Sequence, residues 1–218
     1  MNTIDFIEEN KIICICRKIY GDDLIKLATA LSKGGVRMIE VTFDQADNQC
    51  IEKTSEAISL LCDKFGDSMK IGAGTVLNSS QVEAAKNAGA EYIISPNTNE
   101  SVIKKTKALD MVSIPGAMTP TEIIAAHEMG ADFVKLFPTV YLGLRYIKDI
   151  KGPISHVKLL GTGGLDEENL ADYLKAGMVG AGISSRLVDK KVREAGNYDE
   201  LTRRASVFME IAKQFREN

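Results

Sequence analysis

Residues 132–138 read DFVKLFP. Val134, Leu136 and the two phenylalanines suit a strand covered on both faces, as in a parallel sheet. Lys135 stands in the middle of them, and lysine is among the residues least often fully buried without a partner. A strand this apolar carries the Lys135 side chain into the interior or to the strand's exit. Side chains alternate along a strand, so Phe137 lies two positions further along the same side.

Seven more runs of this kind occur: IICIC (12–16), MIEVTF (38–43), KIGAGTV (70–76), YIISP (92–96), MVSIPG (111–116), VKLLGTG (157–163) and VGAGI (179–183). Between them lie amphipathic stretches such as DDLIKLATALSKGG and NSSQVEAAKNAGA. Their apolar residues recur at three and four, and a glycine follows the last turn. This alternation marks βα units on a parallel sheet. Eight units at this spacing predict an α/β fold of the TIM (β/α)8 type instead of an open doubly wound sheet. An additional N-terminal helix is expected around TIDFIEEN and a closing helix around YDELTRRASVFMEIAKQF. With no linker composition or charge-run boundary, residues 1–218 are expected to form a single barrel domain.

The chain is 44% hydrophobic and 26% charged, with a net charge of −3. That balance gives no broad basic surface for nucleic acid, and small anionic substrates need specific contacts. No apolar run approaches a bilayer span. The N-terminus, MNTIDFIEENK, has acidic residues where a signal peptide needs basic ones. A cytoplasmic protein with neither nucleic-acid nor membrane partners is expected. Cys14, Cys16, Cys50 and Cys62 fit neither a CxxC pair nor a zinc ribbon and are expected as buried reduced thiols. His127 and His156 have no neighbouring ligands at metal spacing. No GxSxG elbow, P-loop or Rossmann fingerprint is present.

In barrels of this type chemistry collects where strands end. Arg17 follows the first strand, Glu40 lies in the second, Thr75 ends the third, and Pro96 and Pro115 close the fourth and fifth. Lys135 lies near the end of the sixth, Thr162 ends the seventh, and Ser184 and Ser185 follow the eighth. A lysine held inside a barrel loses solvation, which lowers its pKa, and the neutral amine is the form that attacks a ketone. Lys135 is thus a Schiff-base candidate, the alternative being that it snorkels out or pairs structurally with Glu40. An inward Glu40 can shuttle protons, directly or through a water. Lys70 and Lys158 lie near the beginnings of their strands, at the opposite mouth, and read as surface residues. GTGG at 161–164, followed by an acidic helix start LDEEN, offers backbone N–H groups to a phosphate. The loop GISSR adds amides, two hydroxyls and Arg186.

In order, GGVRMIEVTF, GAGTVLN, ISP, IPGAMTPTE, FVKLFP, GTGG and the serine-bearing loop after the eighth strand resemble one family. It is the class I aldolases of 2-keto-3-deoxy-6-phosphogluconate (KDPG) and 4-hydroxy-2-oxoglutarate (KHG), and the resemblance runs from about residue 8 to about residue 190. It implies a homotrimeric barrel that binds a small-molecule 2-keto-4-hydroxy acid and uses no metal or organic cofactor. The implied reaction cleaves KDPG, or its galactonate epimer, to pyruvate and glyceraldehyde 3-phosphate, and/or KHG to pyruvate and glyoxylate. The resemblance makes Lys135 the Schiff-base lysine and Glu40 the proton carrier, with Thr75 on pyruvate and Phe137 as an aromatic wall. Thr162, Gly163 and Gly164 match substrate contacts after strand seven, and Pro96 and Pro115 the prolines closing strands four and five. Many members follow the glutamate motif with Arg-Thr, the arginine gripping the substrate carboxylate; here Asp44-Gln45 stands there, and Arg17 is the candidate for that grip. Asn97 stands where glycine often follows the proline, and Gly182-Ile183-Ser184-Ser185 departs from Gly-Xaa-Gly-Ser. A sugar-phosphate isomerase or epimerase, or a non-catalytic keto-acid- or phosphate-binding barrel, fits the same glycines but leaves Lys135 no covalent role.

Overall fold

Every apolar run expected as a strand contains one. They are β1 (Ile12–Cys16), β2 (Met38–Thr42), β3 (Lys70–Gly74), β4 (Tyr92–Ile94), β5 (Val112–Ile114), β6 (Gly116–Ala117), β7 (Val134–Leu136), β8 (Leu159–Thr162) and β9 (Gly180–Ile183). The computed structural model describes residues 1–215; residues 216–218, which the single-domain expectation included, lie outside the described residues. All pairings are parallel, in the order β5-β4-β3-β2-β1-β9-β8-β7-β6. The sheet therefore begins and ends on the two halves of one expected strand, MVSIPG, and closes through Pro115 as an eight-unit TIM barrel. Pro115 closes β5 as expected, and a second short strand, β6, begins at the next residue. Proline has no N–H for the ladder, but the Pro115 carbonyl accepts from the Lys135 N–H at 2.8 Å. β5 thus pairs with β4 while β6 pairs with β7, beside Lys135.

The helices are α1 (Thr3–Asn10), α2 (Gly21–Lys33), α3 (Cys50–Phe65), α4 (Ser79–Asn87), α5 (Glu100–Ala108), α6 (Pro120–Glu128), α7 (Thr139–Lys151), α8 (Leu170–Lys175), α9 (Lys190–Glu194) and α10 (Tyr198–Lys213). Pro120 in the first turn of α6 and a reciprocal Thr119–Glu122 capping box fix its start. The stops after α2 and α4 fall on Gly35 and Gly89, with φ of 93° and 99°, a backbone shape that glycine adopts without a side-chain clash.

Strand alternation sorts the core into two layers. Cys14, Cys16, Ile39 and Val41 face the helices, whereas Ile13, Met38, Tyr92, Ile94, Phe133 and Leu160 fill the cylinder. α1 closes its lower end by inserting fully buried Ile7 into that inner cluster. Lys70 and Lys158 lie at this end, paired with Glu91 at 2.6 Å and Glu8 at 2.8 Å. The four cysteines are free; Cys14 and Cys16 are buried, but Cys50 and Cys62, on the flank of the amphipathic α3, are only half-buried, a correction to the expectation. Among the described residues no helix is long and apolar enough to cross a membrane.

Candidate active site

A pocket of about 330 Å³ opens at the ends of the strands opposite α1. β7 brings Lys135 and, just beyond it, Phe137 to the pocket; the stretch after β8 brings Thr162, Gly163 and Gly164. Arg17 after β1 and Ser184 and Ser185 after β9 form one rim, and Thr75 after β3 and Pro96 after β4 form another. The residues expected at strand ends thus meet at one mouth, with Glu40 beneath the lining. Ile15, Gly182 and Leu165 also line it and were missed. Alternation from Ile13 and from Gly180 signals the first two, whereas Leu165 enters from a loop that carries no such period.

Lys135 is 9% exposed and Glu40 2%. The Lys135 Nζ sits over the Phe137 ring, 5.1 Å from its centre, a cation–π contact that opposes the loss of charge on burial. Burial pushes the Lys135 amine below the ordinary lysine value; the Glu40 charge opposes this shift and the Arg17 charge adds to it. Burial lifts the Glu40 carboxyl above its ordinary value, against the pull of Lys135 and Arg17. Both groups are thus driven toward their neutral forms.

The space for Glu40 is made by what β3 lacks. A side-chain carbon on Gly74 would overlap the Glu40 carboxylate, and one on Gly72 would run into the Tyr92 ring. Tyr92 is fully buried beneath the pair, its hydroxyl donating to the Ile39 carbonyl at 2.7 Å. Gly74→Ala is therefore expected to displace the Glu40 carboxylate. Steady-state kinetics should show a loss of about 10²-fold in turnover in a chain whose melting curve stays cooperative; unchanged turnover would mean that Glu40 is not needed where it lies.

At the mouth, the Gly163 carbonyl accepts from the Val140 N–H at 3.1 Å and the Gly164 carbonyl from Asn169 Nδ2 at 3.1 Å. Among the described residues the N–H groups of Gly163, Gly164 and Ser185 have no protein acceptor, which leaves three backbone donors open at the mouth. Regular helix α8 begins at Leu170, directly after LDEEN. Asp166 and Asn169 bond each other's backbone reciprocally, as in a capping box, and the Leu170 N–H donates to the Asp166 carbonyl at 3.0 Å, so the segment leads into the helix. One expectation about this rim is corrected. Arg186 does not line the pocket; it forms a bidentate pair with Glu167. Asp44, where many members carry arginine, holds Lys18 at 2.8 Å, and that contact keeps its carboxyl below the usual range.

Among the described residues no group of three or more His, Cys, Asp or Glu could hold a metal ion. The sequence leaves His127 and His156 far apart, yet the fold brings their rings edge to face with 5.1 Å between centres. Neither lines the pocket.

The family described as KDPG and KHG aldolase matches residues 4–204. A 2-dehydro-3-deoxy-phosphogluconate aldolase of Haemophilus influenzae is 34% identical over 211 residues, covering 96% of this chain and 96% of that protein. A 2-dehydro-3-deoxy-6-phosphogalactonate aldolase of Escherichia coli is 32% identical over 204 residues, covering 93% and 95%. Among solved structures, a KDPG aldolase from Legionella pneumophila with pyruvate captured as a covalent carbinolamine superimposes with a TM-score of 0.84. It is 27% identical, over 95% of this chain and 98% of that one. The chain belongs to the KDPG and KHG aldolase family of class I aldolases.

Proposed function

We propose that the chain cleaves a 2-keto-4-hydroxy acid to pyruvate and an aldehyde through a Schiff base on Lys135. KDPG or its galactonate epimer, giving glyceraldehyde 3-phosphate, and KHG, giving glyoxylate, are the substrates the relatives' names support. The observation that carries the reading is a buried, pKa-lowered lysine bordering a pocket above a buried carboxyl. In this mechanism the neutral Lys135 amine adds to the C2 ketone, and the carbinolamine loses water to a protonated iminium. Glu40 takes the C4 hydroxyl proton, directly or through a water, and the C3–C4 bond breaks with its electrons passing to the iminium. The enamine left behind is protonated at C3, and water releases pyruvate and restores the amine. The iminium is itself the electron sink, so no step calls on a metal or organic cofactor. Thr75 and Arg17 orient the keto-acid carboxylate, Phe137 and Pro96 wall the reacting carbons, and Thr162, Gly163, Gly164, Ser184 and Ser185 meet the far end. From the family we further propose a cytoplasmic homotrimer, each chain a single barrel domain.

Borohydride reduction in the presence of pyruvate is expected to add a pyruvyl mass to the Lys135 peptide. Label on another peptide, or none, rejects the assignment. A lactate dehydrogenase-coupled assay on the three substrates then ranks them by kcat/KM.

A further inference from the structure

Thr75 has a φ of 55°, a left-handed backbone that a β-branched residue rarely adopts and that persists only when its surroundings impose it. Those surroundings form a chain of amides. Gln45, on the loop after β2, donates from Nε2 to the Thr75 carbonyl at 2.7 Å. Its Oε1 accepts from Gln81 Nε2 at 2.9 Å. Gln81, in the first turn of α4, is 2% exposed, and its Oε1 accepts from the Leu77 N–H at 2.8 Å. Its own N–H is held by Asn78 Oδ1 at 3.0 Å. On the other side of Thr75, the Gly74 carbonyl accepts from the Phe43 N–H at 2.9 Å, and the Val76 N–H reaches the Ile94 carbonyl at 3.2 Å.

We propose that Gln45, anchored by buried Gln81, is a positioning residue that holds Thr75 at the pocket wall for the keto-acid carboxylate. The inference rests on the aldolase reading of the same pocket. Both ends of each amide are used, so the unit works as a rigid strut from the base of α4 to the strained peptide. Gln45 is exposed and Gln81 buried, so removing the Gln45 side chain takes the hand off Thr75 while leaving the anchor packed. Because the carboxylate is held from the first encounter to product release, a displaced Thr75 weakens binding throughout and shows mainly in KM.

Gln45→Ala is expected to raise KM, and the pyruvate concentration that half-saturates borohydride labelling, by about 10-fold. Its kcat should stay within about 3-fold and its melting should stay cooperative, at a modestly lower temperature because the buried Gln81 Nε2 loses its acceptor. Gln45→Glu keeps the side chain's size but has no N–H to donate and sets a negative charge toward the Thr75 carbonyl, so it should raise KM at least as much as the alanine variant, which separates a lost donor from lost packing. In a Thr75→Gly background, where glycine adopts the left-handed shape freely, Gln45→Ala should add no further loss. Additive losses in that background, or an unchanged KM in either single variant, would overturn the positioning role. A wild-type protein that releases no pyruvate from any of the three substrates overturns the aldolase reading itself, a result told apart from the others because it needs no variant.

Discussion

Lys135→Met is expected to release pyruvate at least ~10³-fold more slowly, with no pyruvyl label after borohydride, while melting no lower than the native chain. The kinetic loss follows from the chemistry. Without an amine no iminium forms, and the C3–C4 electrons have no sink; removing the covalent nucleophile in a well-studied hydrolase costs about 10⁶-fold in turnover. The thermal result follows from burial. Lys135 is 9% exposed in a largely apolar strand, and an unbranched methionine replaces its stem without an amine to desolvate. Removing one member of a buried ion pair is destabilising when the other stays charged, so this expectation holds only where Glu40 is protonated, and each kcal/mol gained is worth ~2–4 °C for a chain of this length. Glu40 is left without its cation but is already pushed toward its neutral form by burial.

The sign with pH is fixed. Because the folded pKa of Lys135 lies below its unfolded value, the unfolded chain binds more protons between the two, and native stability rises with pH across that window. The methionine variant's advantage is therefore full at pH below the depressed folded value and shrinks as pH climbs toward the ordinary lysine value. Ionisation of the unpartnered Glu40 acts in the same direction. Melting curves across this range that show the advantage growing with pH would mean that the lysine is not held toward its neutral form.

Lys135 and Glu40 could be recognised in the sequence because each interrupts an apolar strand, and a charged residue there must either find a use or a partner. The barrel could be recognised for the same reason in reverse: eight apolar runs with amphipathic stretches between them have few other ways to cover both faces of every strand. What lay hidden depends on contacts without a period. Gln45 and Gln81 are 36 positions apart, and nothing in either sequence neighbourhood says that a loop amide meets one on α4. Gly74 reads as an ordinary strand glycine until the Glu40 carboxylate is found in the space a side chain would fill. LDEEN has the composition of a helix start, but its composition does not say that Asp166 and Asn169 cap each other's backbone so that regular helix begins only at Leu170. Pro115 ends β5 as its sequence suggests, but the sequence does not reveal that a further short strand follows or that the Pro115 carbonyl is needed by Lys135 on β7.

Glu40→Gln separates forming the Schiff base from using it. Glutamine keeps the shape that fits over Gly74, so the pocket stays built, but it cannot accept the C4 hydroxyl proton. Turnover is expected to fall ~10²–10⁴-fold, the usual contribution of a positioned general base. Pyruvate should still be trapped on Lys135 by borohydride, because amine addition needs the lysine neutral and does not need a carboxylate to break a carbon–carbon bond. The pH dependence of trapping carries the sign. The Glu40 charge raises the Lys135 pKa against the effect of burial, so removing it lets that pKa fall further. The rising limb of trapping against pH, which follows the neutral amine, should then move to lower pH in the glutamine variant. In the native chain the two groups titrate as a coupled pair, and the limb belongs to both. A variant that turns over within ~10-fold of the native chain would remove Glu40 from proton transfer. A limb that does not move, or moves to higher pH, would show that the Glu40 charge does not raise the pKa of this amine, and the electrostatic link between the second strand and the lysine would be lost with it.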